Sequence, residues 1–178
     1  MQERKERLSE LFRRHADDIH AYAAWRVGRH DAADIVGEVF LTAWRSLDRV
    51  RVGQERGWLF GVARTVVLAR LRKGVATALL GERLAAYGDP ELPEDRMAEE
   101  VARRDEVRRT LESLRESDRE VLVMAFWFDL PPGDAARALA ISRATYAVRL
   151  HRARARFRQA FERSPSPRHA PRPTPAAL

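Results

Sequence analysis

Apolar residues recur at three- and four-residue spacings through almost the whole chain, and no run alternates apolar and polar residues between turn signals as a strand would. A chain so patterned buries its stripes by packing helix on helix, so the fold class is all-α. Leu8, Leu11, Phe12, Ile19, Tyr22 and Ala23 form a first stripe. Ile35, Val39, Ala43 and Leu47 form a second, with Phe40 and Trp44 beside it and Asp31 placed to cap its start. Trp58, Val62, Thr65 and Ala69 form a third, flanked by Leu59 and Val66, and Val101, Val107, Leu111 and Leu114 mark a fourth. Ser117 with Glu120 three residues on spells a capping box ahead of a very apolar helix over 120–128, which must end before Pro131-Pro132. Two further elements follow, over 133–140 and 142–161.

Proline and glycine punctuate this pattern. The first proline is Pro90, and five of the nine fall within 165–175. Segment 74–93 carries Gly74, Gly81, Gly88 and Pro90 and reads as the start of a linker with one short helix. The tail over 164–178 cannot bury apolar surface and is expected to be disordered. The expected layout is a helical domain over 5–73, a flexible linker over 74–105, a second helical domain over 106–163, and the tail. At 178 residues the chain has room for two small cores.

Charge is unevenly placed. Residues 1–88 hold 16 basic and 11 acidic side chains, residues 89–120 hold 7 and 12, and residues 121–178 hold 10 and 3. Two basic blocks around an acidic middle are the footprint of two polyanion-facing modules. The chain has no cysteine, which excludes a disulfide framework, a thiolate zinc site and a cysteine nucleophile. The five histidines lack the H-E-x-x-H spacing of a helical zinc site, and no P-loop or G-x-S-x-G occurs. An enzyme, a metal, a cofactor and a small-molecule substrate are therefore not expected. No apolar run approaches the ~18–20 residues of a membrane span, and MQERKERLSE lacks the apolar core of a secretory leader, so a cytoplasmic protein is expected.

The stretch LPPGDAARALAISRATYAVRLHRARARFR, residues 130–158, has the layout of a helix-turn-helix. A short helix bearing Ala136, Leu139 and Ala140 leads through Ile141 to a longer one capped by Ser142. In that second helix Tyr146, Leu150, Ala153, Phe157 and Phe161 step inward, while Arg143, Arg149, Arg152, Arg156 and Arg158 lie largely off the stripe. Residues near the start of a recognition helix reach base edges in the major groove, so Arg143, Thr145 and Arg149 are candidate base readers. Arg152 and Arg156, farther along, suit the phosphate backbone.

Placed in order, the segments resemble the extracytoplasmic-function group of the sigma-70 family of bacterial RNA polymerase sigma factors. DIVGEVFLTAW is similar to the polymerase-docking helix, usually D-x-V-Q-E-V-F-x-x-A-W. WLFGVARTVVLARLRK is similar to the −10 recognition helix, LESLRESDREVLVMAF to the opening of the second domain, and SRATYAVRLHRARARFR to the −35 recognition helix. LFRRHADDIHAYAAWRV resembles the family's first helix. The resemblance covers about 8–73 and 106–161. It implies two small helical domains, a region 2 bundle and a region 4 helix-turn-helix, that act as a tethered pair of promoter readers able to move separately.

The resemblance assigns core-polymerase binding to Asp34, Glu38 and their helix, with Gly37 where glutamine is usual. It assigns −10 strand capture to loop 48–57 and the helix after it. There Arg51, Arg56, Arg64, Arg70, Arg72 and Lys73 would hold phosphates, Trp58 would stack or pack, and Thr65 stands in place of the usual asparagine. The −35 element would be read by Arg143, Thr145, Arg149, Arg152 and Arg156. Implied partners are the clamp and flap of core polymerase, promoter DNA and an anti-sigma factor, with no membrane insertion. Ala69 and Ala147 are further departures from the family pattern, and with Gly37 and Thr65 they leave room for a factor that docks but opens promoters poorly. The alternative is a stand-alone helix-turn-helix regulator that needs no polymerase docking. The triplet Phe126-Trp127-Phe128 is expected to pack within its domain, with contact of one ring to the flap as the other reading.

Overall fold

A computed structural model describes residues 2–73 and 94–163, with side chains from residue 103 onward in the second part. Among the described residues every regular element is helical. They are α1 (Gln2–Val27), α2 (Arg29–Ser46), a 3₁₀ turn (Leu47–Arg49), α3 (Glu55–Arg72), α4 (Glu94–Ser113), α5 (Glu116–Phe126), α6 (Pro132–Ala138) and α7 (Arg143–Arg163). The short helix expected within 74–93 and the disordered tail over 164–178 lie outside the described residues.

Helices α1 and α2 form a hairpin that turns on Gly28. Its φ of 91° is open to glycine but strained for other residues, and its N–H closes the last turn of α1 on the Ala24 carbonyl at 2.9 Å. This moves the start of α2 to Arg29, so Asp31 does not cap it; Asp31 pairs instead with Arg70 on α3 at 3.3 Å. The first two stripes are buried as expected at Leu11, Ile19, Tyr22, Ala23, Ile35, Val39, Ala43 and Leu47, but Phe12 is 48% exposed.

The third stripe is displaced. Leu59, Phe60, Ala63 and Val67 are the buried positions of α3, while Thr65 and Ala69 face outward and Trp58, Val62 and Val66 lie at the margin. Helix α3 is apolar around most of its circumference, so spacing alone does not choose its inner face. It also packs on two sides, against α1 and α2 on one and against α6 on the other.

That second contact brings the two expected bundles against each other. A single apolar cluster runs from α1, α2 and α3 into Val121, Val123, Met124, Phe128, Leu130, Ala135, Ala136, Ala138, Leu139 and Tyr146. The second bundle keeps a smaller cluster of its own, Leu111, Leu114, Leu122 and Ala153. Two glycines permit the junction: a Cβ on Gly57 would sit 2.8 Å from the Asp134 Cα, and one on Gly61 would lie 3.5 Å from the Ala138 Cα.

Helix α5 begins at Glu116, with Arg115 in the capping position and no side-chain cap. The capping box expected at Ser117 does not form because Glu120, which would reach back, is drawn to Tyr22 and Arg64. Arg119 closes the end of α4 instead, donating to the carbonyls of Leu111, Glu112 and Leu114 at 2.9, 3.1 and 2.9 Å. Of the aromatic triplet, Phe128 is buried, whereas Phe126 and Trp127 are 61% and 40% exposed, so the triplet does not pack as a unit within its domain.

Ser142 does cap α7. Its Oγ accepts the Thr145 N–H at 3.0 Å. Replacing Ser142 with alanine is expected to cost about 1 kcal/mol, read as a lower urea midpoint at constant slope. An unchanged midpoint would show that the hydroxyl contributes nothing to α7.

Candidate nucleic-acid interface

Helix α7 presents two faces. Tyr146 and Ala153 are buried, and Leu150 and Phe157 pack at the margin of the core. Arg143, Thr145, Arg149 and Arg152 are exposed, and no ion pair engages Arg149 or Arg152 among the described residues. Arg143 lies over Gly133, where a Cβ would come within 2.6 Å of its Nη2. Thr145 shares its hydroxyl with Ser142 at 2.8 Å. Arg156 differs from its neighbours: its Nη1 donates to both carboxylate oxygens of the buried Asp118, at 2.8 and 2.7 Å, which straps α7 to α5. Arg143, Arg149 and Arg152 are thus the exposed cations of this helix within the expected set that no carboxylate engages among the described residues, with Arg143 lying over Gly133.

The residues expected to meet the −10 strand fall into three groups. Arg51, Arg72 and Lys73 are exposed. Arg70 is held by three carboxylates of α2, Asp31, Asp34 and Glu38, at 3.3, 3.7 and 2.9 Å. Arg56 and Arg64 face the second bundle. Arg56 donates to Asp18 at 2.9 Å and to the Phe128 and Asp129 carbonyls at 2.6 and 3.3 Å, and Arg64 donates to Glu120 at 2.9 Å. Trp58 is half-buried at the edge of the core, and the Thr65 hydroxyl donates to the Gly61 carbonyl at 2.9 Å.

The acids expected to meet polymerase remain accessible despite Arg70. Asp34 and Glu38 side chains are 74% and 53% exposed, and Gly37 lies between them with open space where a Cβ would stand. Phe12 and Leu41 are also exposed on this hairpin, with the Phe12 ring 4.8 Å from that of Phe40.

Sequence reasoning missed the contacts at the bundle junction. Glu120 is 4% exposed and accepts from both the Tyr22 hydroxyl, at 3.1 Å, and Arg64. Burial, reinforced by Glu120, pushes the Tyr22 phenol well above its usual range, so it stays protonated and donates. Buried Arg26 pairs with Glu116, whose carboxyl its guanidinium holds below the usual carboxylate range. An acid at position 120 amid Val121, Leu122 and Val123 was the available signal. The structure also shows a groove of about 660 Å³ on the second bundle, lined by Leu111, Leu122, Phe126, Trp127, Phe157 and Phe161 among others.

A basic helix-turn-helix joined to a second helical bundle with an exposed acidic helix is the arrangement of a helical nucleic-acid-binding protein. Family models carry this further: sigma-70 region 2 matches residues 11–77 and sigma-70 region 4 matches residues 104–157. The chain belongs to the sigma-70 family of RNA polymerase sigma factors, with the two-region layout of the extracytoplasmic-function group. It is a sigma factor, directing RNA polymerase core to promoter DNA; the region 2 match does not favour a stand-alone regulator. Among solved structures, CnrH in complex with the cytosolic domain of CnrY is similar at 25% identity and a TM-score of 0.60, over 89% of each chain. The sigma factor RpoE in complex with the anti-sigma factor NepR from Bartonella quintana is similar in fold, at 19% identity and a TM-score of 0.60, over 92% of this chain and 99% of that one. No curated protein matches the sequence.

Proposed function

We propose that the sigma activity is divided along the chain as the sequence suggests, with residues 5–73 docking polymerase and capturing the −10 strand, and residues 106–163 reading the −35 duplex. The observation that carries this reading is the solvent face of α7, where Arg149 and Arg152 stand free on a helix whose opposite face is buried. Asp34 and Glu38 engage the polymerase clamp with Gly37 between them. Arg51, Arg72 and Lys73 supply phosphate contacts from the first bundle, joined by Arg56, Arg64 and Arg70 once their present partners release them. Trp58 and Thr65 border that strand.

Arg143, Thr145 and Arg149 read bases. Arg152 positions the helix on the backbone, and Arg156 does so chiefly by fixing α7 to Asp118. The groove beside Phe126 and Trp127 receives an apolar element of the polymerase flap. The protein works in the cytoplasm without an active site of its own, and an anti-sigma partner of the kind seen with RpoE restrains it.

The test is transcription in vitro with core polymerase and a pool of genomic DNA fragments. Defined start sites that depend on this chain support the reading, and their absence rejects it. In the same system Arg149→Ala is expected to cost about 1–3 kcal/mol of discrimination at one −35 position, without loss of polymerase binding. An unchanged base preference would leave Arg149 as surface charge.

A further inference from the structure

We infer that Arg7, assisted by Arg4, is a positioning residue for −10 recognition: from the first turns of α1 it fixes the loop between α2 and α3 in the shape that meets the strand, without touching DNA itself. This deepens the reading above and rests on it for the task of the loop.

Arg4 and Arg7 stand three residues apart in α1 and so share an edge of that helix. Both face the end of α2, where it gives way to the 3₁₀ turn. Arg4 donates to the Trp44 carbonyl at 2.9 Å, pairs with Asp48 at 3.0 Å and lies over the Trp44 ring at 5.1 Å. Arg7 donates to the Leu47 carbonyl at 3.2 Å and to the Val50 carbonyl at 2.6 Å. Its Nη2 also comes within 3.9 Å of Glu55, the first residue of α3. Carbonyls at the end of a helix lack intrahelical donors, and a guanidinium fork can serve two at once.

One side chain therefore touches both stems of the loop, Val50 on the way in and Glu55 on the way out. Between them the chain makes a tight turn, closed by the Gln54 N–H on the Arg51 carbonyl at 3.1 Å, with Gly53 at a φ of 79°. Val50 is buried, whereas Arg51, Val52 and Gly53 are exposed. Val52 is 86% exposed and has little packing to fix it, so the tip takes its place from the base. Arg7 also draws in the Glu55 carboxylate, whose side chain is 18% exposed and which would otherwise repel a phosphate backbone. Every partner of Arg4 and Arg7 named here belongs to the first bundle, so a strand at the tip need not displace them. A recognition site discriminates only when its groups are held to within ~0.5 Å of the productive geometry, and the two arginines supply that support.

The cysteine-free chain accepts a single spin label at Val52→Cys. In the free labelled chain, adding Arg7→Met keeps the stem and removes the fork, and is expected to sharpen the spectrum as the turn loosens. Unlabelled Arg7→Met is then assayed with core polymerase on a promoter drawn from the genomic pool and randomised at both elements. Its base preference at the −10 element is expected to fall about ten-fold. Preference at the −35 element and retention on polymerase should match the parent. Arg7→Lys, a point charge without the fork, should fall between the two, and it carries the comparison by itself if Arg7→Met does not fold.

An unchanged spectrum would overturn the proposal, whatever the loop reads. A freer label with the −10 preference intact would overturn it too, and would remove the loop from the −10 site. Equal losses at the −10 and −35 elements would make Arg7 a general scaffold residue and count against it as well. A parent chain that starts nowhere specific would reject the promoter reading, and the proposal with it.

Discussion

Replacing Phe60 with alanine is expected to lower the free energy of unfolding by about 3–5 kcal/mol. Phe60 is fully buried on α3, its ring 5.6 Å from that of Tyr22 on α1 and 5.1 Å from that of Phe128 beyond α5. Removing it takes away the transfer energy of the side chain and leaves a hollow walled by aromatic rings, which cannot collapse without moving three helices. A domain of ordinary stability has about 5–15 kcal/mol in all, so the variant would lie near the edge of folding. Because the rings join both bundles, a chemical melt should show one transition shifted as a whole. Two separated transitions, with only the first shifted, would mean that the bundles fold independently.

Glu38→Lys is expected to abolish co-purification with core polymerase while leaving the melting temperature within a few degrees of the parent. Glu38 is more than half exposed, and its contact with Arg70 is one of three that this arginine makes with α2. Exposed pairs contribute only ~0–1 kcal/mol, and Asp31 and Asp34 stay to hold Arg70. The docking face, by contrast, would have an acid inverted beside the remaining Asp34, and like charges set against a complementary surface are strongly penalised. Normal retention of the variant on polymerase would remove Glu38 from the docking face. Loss of retention together with a collapsed melting temperature would assign it a scaffold role.

The helical class and the helix-turn-helix were legible because each rests on local rules: a period near 3.6, an N-cap serine at 142, and an arginine stripe out of phase with Tyr146 and Ala153. The face of α3 was not legible, because a helix apolar on most sides offers no contrast from which to choose. The helix caps were missed for two reasons. The turn on Gly28 starts α2 at Arg29 and leaves Asp31 inside the helix, and Glu120 is drawn to Tyr22 and Arg64, across 56 residues in the latter case. The union of the bundles through Gly57 and Gly61 was hidden for a similar reason. Spacing along a chain shows which faces are apolar but not which distant helix covers them. In the candidate site, the expected set proved uneven. Arg149 and Arg152 stand open, whereas Arg70 and Arg156 are bound by carboxylates of their own bundles.

Glu120 accepts from a phenol on α1 and a guanidinium on α3 through the same carboxylate oxygen. Three helices therefore answer to one atom, and positions 22, 64 and 120 cannot diverge one at a time without stranding a buried polar group. A chimera that joined the front half of this chain to the back half of a distant relative would carry a mismatch at its seam unless those three residues travelled together.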